Sequence, residues 1–436
     1  MGINRRDALT SILCGSGLLG LRALATGLPV SFLLNPRKAL ADTPAAPSCA
    51  SPQFIILNTS GNGDPINCNV PGTYEDPGIV HSSDPLMKPT PLMIRGTSHT
   101  AAAPWATLPQ GALDRTCFFH VMTNTPVHPH EPDVLKLQGA VAGQEMFPSV
   151  LARLLAPCLK TVQTQPISVG ATTPSETITY GGAPLPSIPP LSLRATLTNP
   201  AGGLTNLQKL RDDTLNSMYG IYRTSASPGQ KAYLDSMVTS QAQVRGIRQD
   251  LLAALASIKD NSPASQILAA ITLIQMGVSP VVAVHIPFGG DNHGDPGLAA
   301  ETTQTVTGVQ TIVSLLAQLA AAQLADNVTF LSLNVFGRTM GPSNNNGRQH
   351  NQNHQVSIAI GKPFKGGVIG GVTKVQNDYG ALPINSNSGA GDPSGDIAAI
   401  GTLASFGKTA LTAVGIDAAT VSSQISSGAV IKAALA

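Results

Sequence analysis

Six short runs of apolar and β-branched residues, each bounded by Gly, Pro or Asn, alternate with longer stretches of helical spacing. That alternation restricts the chain to few folds. The runs are Phe54–Leu57, Cys117–Met122, Pro166–Val169, Val281–Ile286, Val328–Leu333 and Val356–Ile360. Segments this short and this uniformly apolar suit strands buried on both faces. Between them, Glu145 to Ala156 puts Val150, Leu151, Leu154 and Leu155 on one helical face. Residues 298 to 324 space Val306, Val309, Val313, Leu316, Leu319 and Leu324 at helical intervals. A third helix is expected from Ser262 to Met276, with Ser262 as N-cap and Pro263 as first helical residue. Strands alternating with helices predict a mostly parallel, doubly wound sheet, and such sheets bind ligands at the carboxyl ends of their strands.

Residues 200–260 break the pattern. They carry no strand signal, are rich in polar residues and keep helical spacing, clearest from Arg248 to Ile258. This is the signature of a helical insertion beside the sheet. Residues 341–354 and 376–395 are Asn-, Gly- and Ser-rich and are expected as exposed loops.

The first 41 residues have a different character. Asn4-Arg5-Arg6-Asp7-Ala8-Leu9 precedes an apolar run from Ile12 to Leu34, and Ala39-Leu40-Ala41 offers a small-x-small cleavage site. A charged start, an apolar middle and such a site define a secretory signal, and the paired arginines indicate the twin-arginine route. Arg22 and Pro29 interrupt the run, whereas a membrane span needs about 20 apolar residues. The expected products are a signal peptide at 1–41 and one domain at 42–436 that is periplasmic or secreted. Cleavage removes five basic residues and Asp7 from totals of 26 and 24, leaving 21 basic against 23 acidic, net −2. With 11% charged residues, such a chain has no electrostatic footprint for nucleic acid or anionic membrane. Four cysteines remain, Cys49, Cys68, Cys117 and Cys158. An oxidising compartment permits two disulfides in any of three pairings.

The polar residues capable of chemistry gather around the last three strands. Val281–Ile286 is followed by Gly289-Gly290-Asp291-Asn292-His293-Gly294-Asp295, and Val328–Leu333 by Asn334-Val335-Phe336-Gly337-Arg338-Thr339. Gly347-Arg348-Gln349-His350-Asn351 and His354 precede Val356. Asp291, His293, Asp295, His350 and His354 suffice for one divalent ion. Carboxylate with imidazole suits Zn, Mn or Fe, and carboxylates alone suit Mg or Ca. The same residues also make ordinary turns. Arg338 suits a bidentate phosphate or sulfate contact, or an ion pair with an aspartate. His285, inside a strand, is expected as a hydrogen-bonded core histidine, while His128-Pro129-His130 follows the second strand and can reach the same edge.

In their order, these motifs resemble the twin-arginine-exported family called domain of unknown function 1501, grouped with alkaline phosphatase and sulfatase-like hydrolases. That family's patterns run roughly G-G-W-D-T-H, S-E-F-G-R-T, G-x-D-H and K-G-G. The matching segments here are Gly289–His293, Asn334–Thr339, Gly347–His350 and Lys365-Gly366-Gly367. The resemblance implies a three-layer α/β/α sandwich like alkaline phosphatase. It also implies one or two metals and a nucleophile after the first strand, where Thr59 or Ser60 would attack and Asp64 would be a ligand. Two departures stand out. Val335 replaces the family's glutamate and Gln349 its aspartate, so the implied metal site is partly degenerate. The expected function is hydrolysis of a small anionic phosphate or sulfate ester. The competing class is a non-catalytic periplasmic or surface protein, with or without metal, that uses the fold to bind or assemble an envelope component. A third is a calcium-stabilised surface protein.

Overall fold

Each of the six apolar runs becomes a strand of one seven-stranded sheet. The structure is a computed structural model that describes residues 49–171, 173–198, 217, 219–228, 231, 235, 249–341 and 346–436. The expected signal at 1–41 lies outside the described residues, as does most of the expected insertion at 200–260. In chain order the strands are β1 (Phe54–Ser60), β2 (Thr116–Val121), β3 (Ile167–Ser168), β4 (Val281–Val284), β5 (Val328–Asn334), β6 (Gln355–Ile360) and β7 (Gly367–Ile369). Their spatial order is β7-β2-β6-β5-β1-β4-β3. β1 pairs in parallel with β5 and β4, β4 with β3, and β2 with β7; β6 alone runs against its neighbours β5 and β2. β7 comes from a glycine-rich segment that carries no strand signal.

The main helices are α1 (Phe147–Leu159), α2 (Pro190–Thr198), α3 (Gln249–Ala256), α4 (Pro263–Gln275), α5 (Ala299–Ala321) and α6 (Thr402–Ala413). They cover both faces of the sheet, because neighbouring strand residues point opposite ways. Ile56, Phe118, Val282 and Phe330 pack with Ile267, Ile271 and Ile274 of α4 and Val309, Ile312 and Leu315 of α5. Ile55, Phe119, Val281 and Leu331 pack with Val150, Leu151 and Leu155 of α1 and Leu403 and Phe406 of α6. Burying each such side chain is worth about 1.5–3 kcal/mol. A mostly parallel sheet with helices on both faces is compatible with a three-layer α/β/α fold. At α4 the Ser262 side chain accepts from the Ser265 amide and Pro263 opens the helix, as the sequence predicts. α3, the described end of the 200–260 segment, packs against α2 and α4.

Two expectations need correction. The polar segments 341–354 and 376–395 are not simply exposed loops: Arg348, Asn351, His354, Tyr379 and Ile384 are all buried. Their polar groups tolerate burial because they are paired. The Arg348 guanidinium meets Glu301 at 2.5 Å with both side chains fully buried, and donates to Thr339 O and Val80 O at 2.8 and 2.7 Å. Asp378–Ala381 forms a hairpin with Val372–Val375. Nor do two disulfides form. Cys49 bonds Cys158 at the end of α1, while Cys68 and Cys117 are buried free thiols.

Candidate metal centre

The carboxyl ends of β1, β2, β4 and β5 lie on one edge of the sheet, and the antiparallel β6 begins on that edge. Gln355 at the start of β6 stands opposite Val121 at the end of β2. Loops far apart in sequence therefore converge. His128 follows β2, Asp291 and His293 follow β4, Phe336 and Arg338 follow β5, and His350 precedes β6. A two-residue ladder sets Arg338 directly opposite His350. The loop carrying Asp291 and His293 is tied to the one before His350 by Arg348 N–H to Asn292 O at 2.8 Å and Asp295 N–H to Asn346 O at 2.9 Å. Gly347 permits this approach. It has φ 126°, and a Cβ there would lie 2.3 Å from His293 O.

His128, Asp291, His293 and His350 each place one ligand atom within 4.8 Å of all the others. Asp291 Oδ1 lies 3.2 Å from His128 Nε2, 2.8 Å from His293 Nε2 and 3.7 Å from His350 Nε2. The Nε2 atoms of His293 and His350 are 3.0 Å apart. Donors bound tetrahedrally at about 2.0–2.1 Å would be roughly 3.3 Å from one another, so the observed separations bracket the edges of a coordination polyhedron.

The hydrogen bonds behind the rings decide which nitrogens face inward. His128 Nδ1 donates to Gly61 O at 2.7 Å, His293 Nδ1 to Gln349 Oε1 at 2.8 Å and His350 Nδ1 to Pro126 O at 2.5 Å. Each acceptor is an oxygen, so each ring carries a proton on Nδ1 and turns Nε2 inward, where it can donate a second proton to Asp291 or give its lone pair to a cation. The Nε2 atoms of His293 and His350, 3.0 Å apart, need a proton or a cation between them. This outer-contact pattern is the one that orients metal-ligating histidines. Phe336 stacks on His350 with centroids 4.2 Å apart and lies 5.0 Å from the His128 ring. The group is open on one side, where Asp291 and His293 are exposed, leaving access for a further ligand.

Arg338 fixes the carboxylate. Its side chain is fully buried and approaches Asp291 Oδ1 at 3.3 Å. Its other donors go to backbone carbonyls, Nε to Gly63 O at 2.5 Å and Nη2 to Asn62 O and Gly290 O at 2.5 and 2.8 Å. Of the two roles expected for Arg338, the pair with an aspartate is the one its contacts favour. Slight burial would raise the Asp291 pKa, but Arg338, His128 and His293 outweigh it and hold the carboxyl below its usual range. Burial lowers the His350 pKa; the hydrogen bond to Pro126 O opposes it, and the nearby charges of Arg338, His128 and His293 add to it, which favours the neutral ring.

Of the residues expected to share a metal, Asp291, His293 and His350 come together, and Asp64, Asp295 and His354 lie outside the cluster. The Asp295 carboxylate accepts the Ala300 and Glu301 amides at 2.9 Å each, satisfying the first turn of α5. His354 is fully buried, with Nε2 2.9 Å from His120 Nδ1. Ser60 and Thr59 at the end of β1 are also buried, and Ser60 Oγ donates to Asp64 Oδ1 at 2.9 Å. His285 is buried as expected but lies just past the end of β4 rather than inside it, with Nδ1 2.8 Å from Glu176 Oε1. Reasoning from the last three strands left out His128 as a ligand, although the order of strands put its loop on this edge. Glu131 gave no signal because it belongs to no motif, whereas Glu176 completes a Thr173-x-x-Glu176 capping box that sequence reasoning missed. No family model matches the chain, and no curated protein matches it.

Proposed function

We propose that the chain is an exported protein of the alkaline phosphatase and sulfatase-like kind, whose His128–Asp291–His293–His350 cluster binds one transition-metal ion and hydrolyses a small phosphate or sulfate ester. The convergence of three Nε2 atoms on one carboxylate oxygen carries this reading. Three imidazoles and one carboxylate favour Zn, Fe or Mn over Mg or Ca. Such an ion would supply Lewis acidity, lowering the pKa of water and neutralising charge on the ester oxygens. His128, His293 and His350 would hold it through Nε2 and Asp291 through Oδ1, while Arg338 and Gln349 keep two of those groups oriented.

Export through the twin-arginine route is part of the same proposal. It is supported by the Arg5-Arg6 pair and by the Cys49–Cys158 disulfide, since such bonds persist in oxidising compartments. No helix among the described residues is long and apolar enough to cross a membrane.

A specific observation favours the non-catalytic class as the second reading. Ser60 is buried with its hydroxyl on Asp64, and the contacts of Arg338 go to carbonyls and Asp291. The expected nucleophile and anion-binding group are therefore both engaged elsewhere. Metal analysis of the purified chain from residue 42, followed by aryl phosphate and aryl sulfate assays, separates the two. One equivalent of metal with turnover that Asp291→Ala and His350→Ala each abolish is the expected result. Bound metal without turnover would establish the second reading, and absence of transition metal after reconstitution would overturn the metal centre.

A further inference from the structure

Behind the histidine cluster, at the end of β1, three carboxylates are buried together. Asp64, Glu131 and Glu176 are each at most 1% exposed. Glu176 is well satisfied. Its oxygens accept from the Gly61 amide at 3.3 Å and the Thr173 amide at 3.1 Å, and it pairs with His285. The other two are not. Neither oxygen of Glu131 has a hydrogen-bond partner, and Asp64 Oδ2 has none either, although Asp64 Oδ1 receives the Ser60 hydroxyl. Leaving such groups dry and unpaired is costly.

We propose that Glu131 and Asp64, with Glu176 beside them, hold a hard divalent cation of the Ca2+ or Mg2+ class, distinct from the ion of the histidine centre. Protonation alone does not satisfy the group. Protonating Glu131 would let one of its oxygens donate, but its other oxygen would still lack a donor. Burial pushes the Glu131 pKa well above its usual range, and repulsion from Glu176 and Asp64 adds to it. A cation removes both penalties at once. The surroundings are oxygen donors: a Cβ built on Gly61 would lie 2.8 Å from Glu131 Oε2, 2.9 Å from Ser175 Oγ and 3.4 Å from Thr173 Oγ1. Carboxylates, hydroxyls and carbonyls are the ligands of hard cations, whereas imidazole-rich sites take softer ones. Among the described residues, only the histidine cluster packs three His, Cys, Asp or Glu ligand atoms within 4.8 Å. The cation would therefore use Glu131 with one further carboxylate, and neutral oxygens would complete its shell.

This proposal stands apart from the reading of the histidine centre, with which it shares Gly61. The carbonyl of that residue takes the His128 Nδ1 proton and its amide faces Glu176. The test uses the full mature chain, stripped with chelator and titrated with Ca2+ or Mg2+ alone by calorimetry and thermal unfolding. One equivalent should bind and raise Tm. Glu131→Gln should weaken that binding at least tenfold, and His293→Ala should retain it. If Glu131→Gln does not fold, Asp64→Asn makes the same comparison. The proposal is overturned if neither cation binds, if the carboxamide variant keeps the equivalent, or if His293→Ala loses it. Failure of zinc at the histidine centre would leave these results unchanged, so the two readings fail separately.

Discussion

Gln349 Oε1 accepts the Nδ1 proton of His293 at 2.8 Å. The residue that replaces an aspartate in the resembled family thus touches the cluster from outside and sets the tautomer of one candidate ligand. Outer partners of this kind change metal affinity by about 10–100-fold when removed. Gln349→Ala should weaken zinc binding within that range. Gln349→Asp should strengthen it, because a carboxylate makes the ring a better donor. Competition titration with a chromogenic chelator reads both, and equal affinities in all three proteins would deny Gln349 this role.

Val335 behaves differently. It is fully buried, and its amide donates to Ser60 O at 3.0 Å. Val335→Glu puts a carboxylate where no water reaches, at a cost of about 3 kcal/mol or more unless a cation pairs with it. Its denaturation midpoint in chelator should fall accordingly. Added to Gln349→Asp, it should contribute nothing to affinity at the histidine centre. Wild-type stability together with a second bound transition metal would instead mean that this position faces a metal site.

Much of the scaffold was legible because both-face burial forces continuous apolar runs, such as Ile55-Ile56-Leu57 and Val281-Val282-Ala283-Val284. The cap at Ser262 was legible for a similarly local reason. The convergence of Asp291, His293 and His350 followed from strand order and polarity. What escaped depends on pairing between distant residues. Arg348 and Glu301 are 47 residues apart, and nothing local indicates that one buries the other. Glu131 opens a short helix and Glu176 closes a capping-box turn, and neither setting shows locally that the two are buried near each other. Asp295 resembled a ligand because helix-capping and metal-binding carboxylates share a residue type and a loop setting.

The Arg348–Glu301 pair should dominate the stability of the segment before β6. Both side chains are fully buried, and removing one partner of such a pair costs about 3–5 kcal/mol, since the other charge stays behind. Arg348→Ala should lose that much in urea denaturation. Arg348→Met combined with Glu301→Leu should recover part of it, because an apolar pair leaves no bare charge. A loss below 1 kcal/mol for the single variant would mean that Glu301 finds another partner.

Reduction of Cys49–Cys158 should also be costly. The bond spans 109 residues, and opening a native disulfide typically destabilises by about 2–5 kcal/mol. Cys49→Ser should lower the denaturation midpoint and should make it insensitive to dithiothreitol. A midpoint in the oxidised wild type that reductant does not move would exclude the bond from the folded protein in solution.

Acid should destabilise the fold through His120 and His354. His120 Nε2 donates to Pro71 O at 2.9 Å, its Nδ1 meets His354 Nε2 at 2.9 Å, and both rings are fully buried. Burial lowers the His120 pKa from 6.5 to about 4, and burial with the neighbouring ring holds His354 well below its usual value. In the unfolded chain these histidines take up protons near pH 6.5. Between there and about pH 4 the unfolded state therefore binds more protons than the folded one, and stability falls as pH falls. For His120 alone this amounts to on the order of 3 kcal/mol. Asp64 opposes the trend, because burial raises its pKa to about 6, and stability from that group is lost as pH rises. Comparison with a variant isolates the histidine contribution. His120→Gln keeps a neutral polar group but cannot titrate, so its stability should vary less than wild type between pH 6.5 and 4 in urea titrations. Parallel profiles for the two proteins across that window would rule out the buried pair as a source of acid sensitivity.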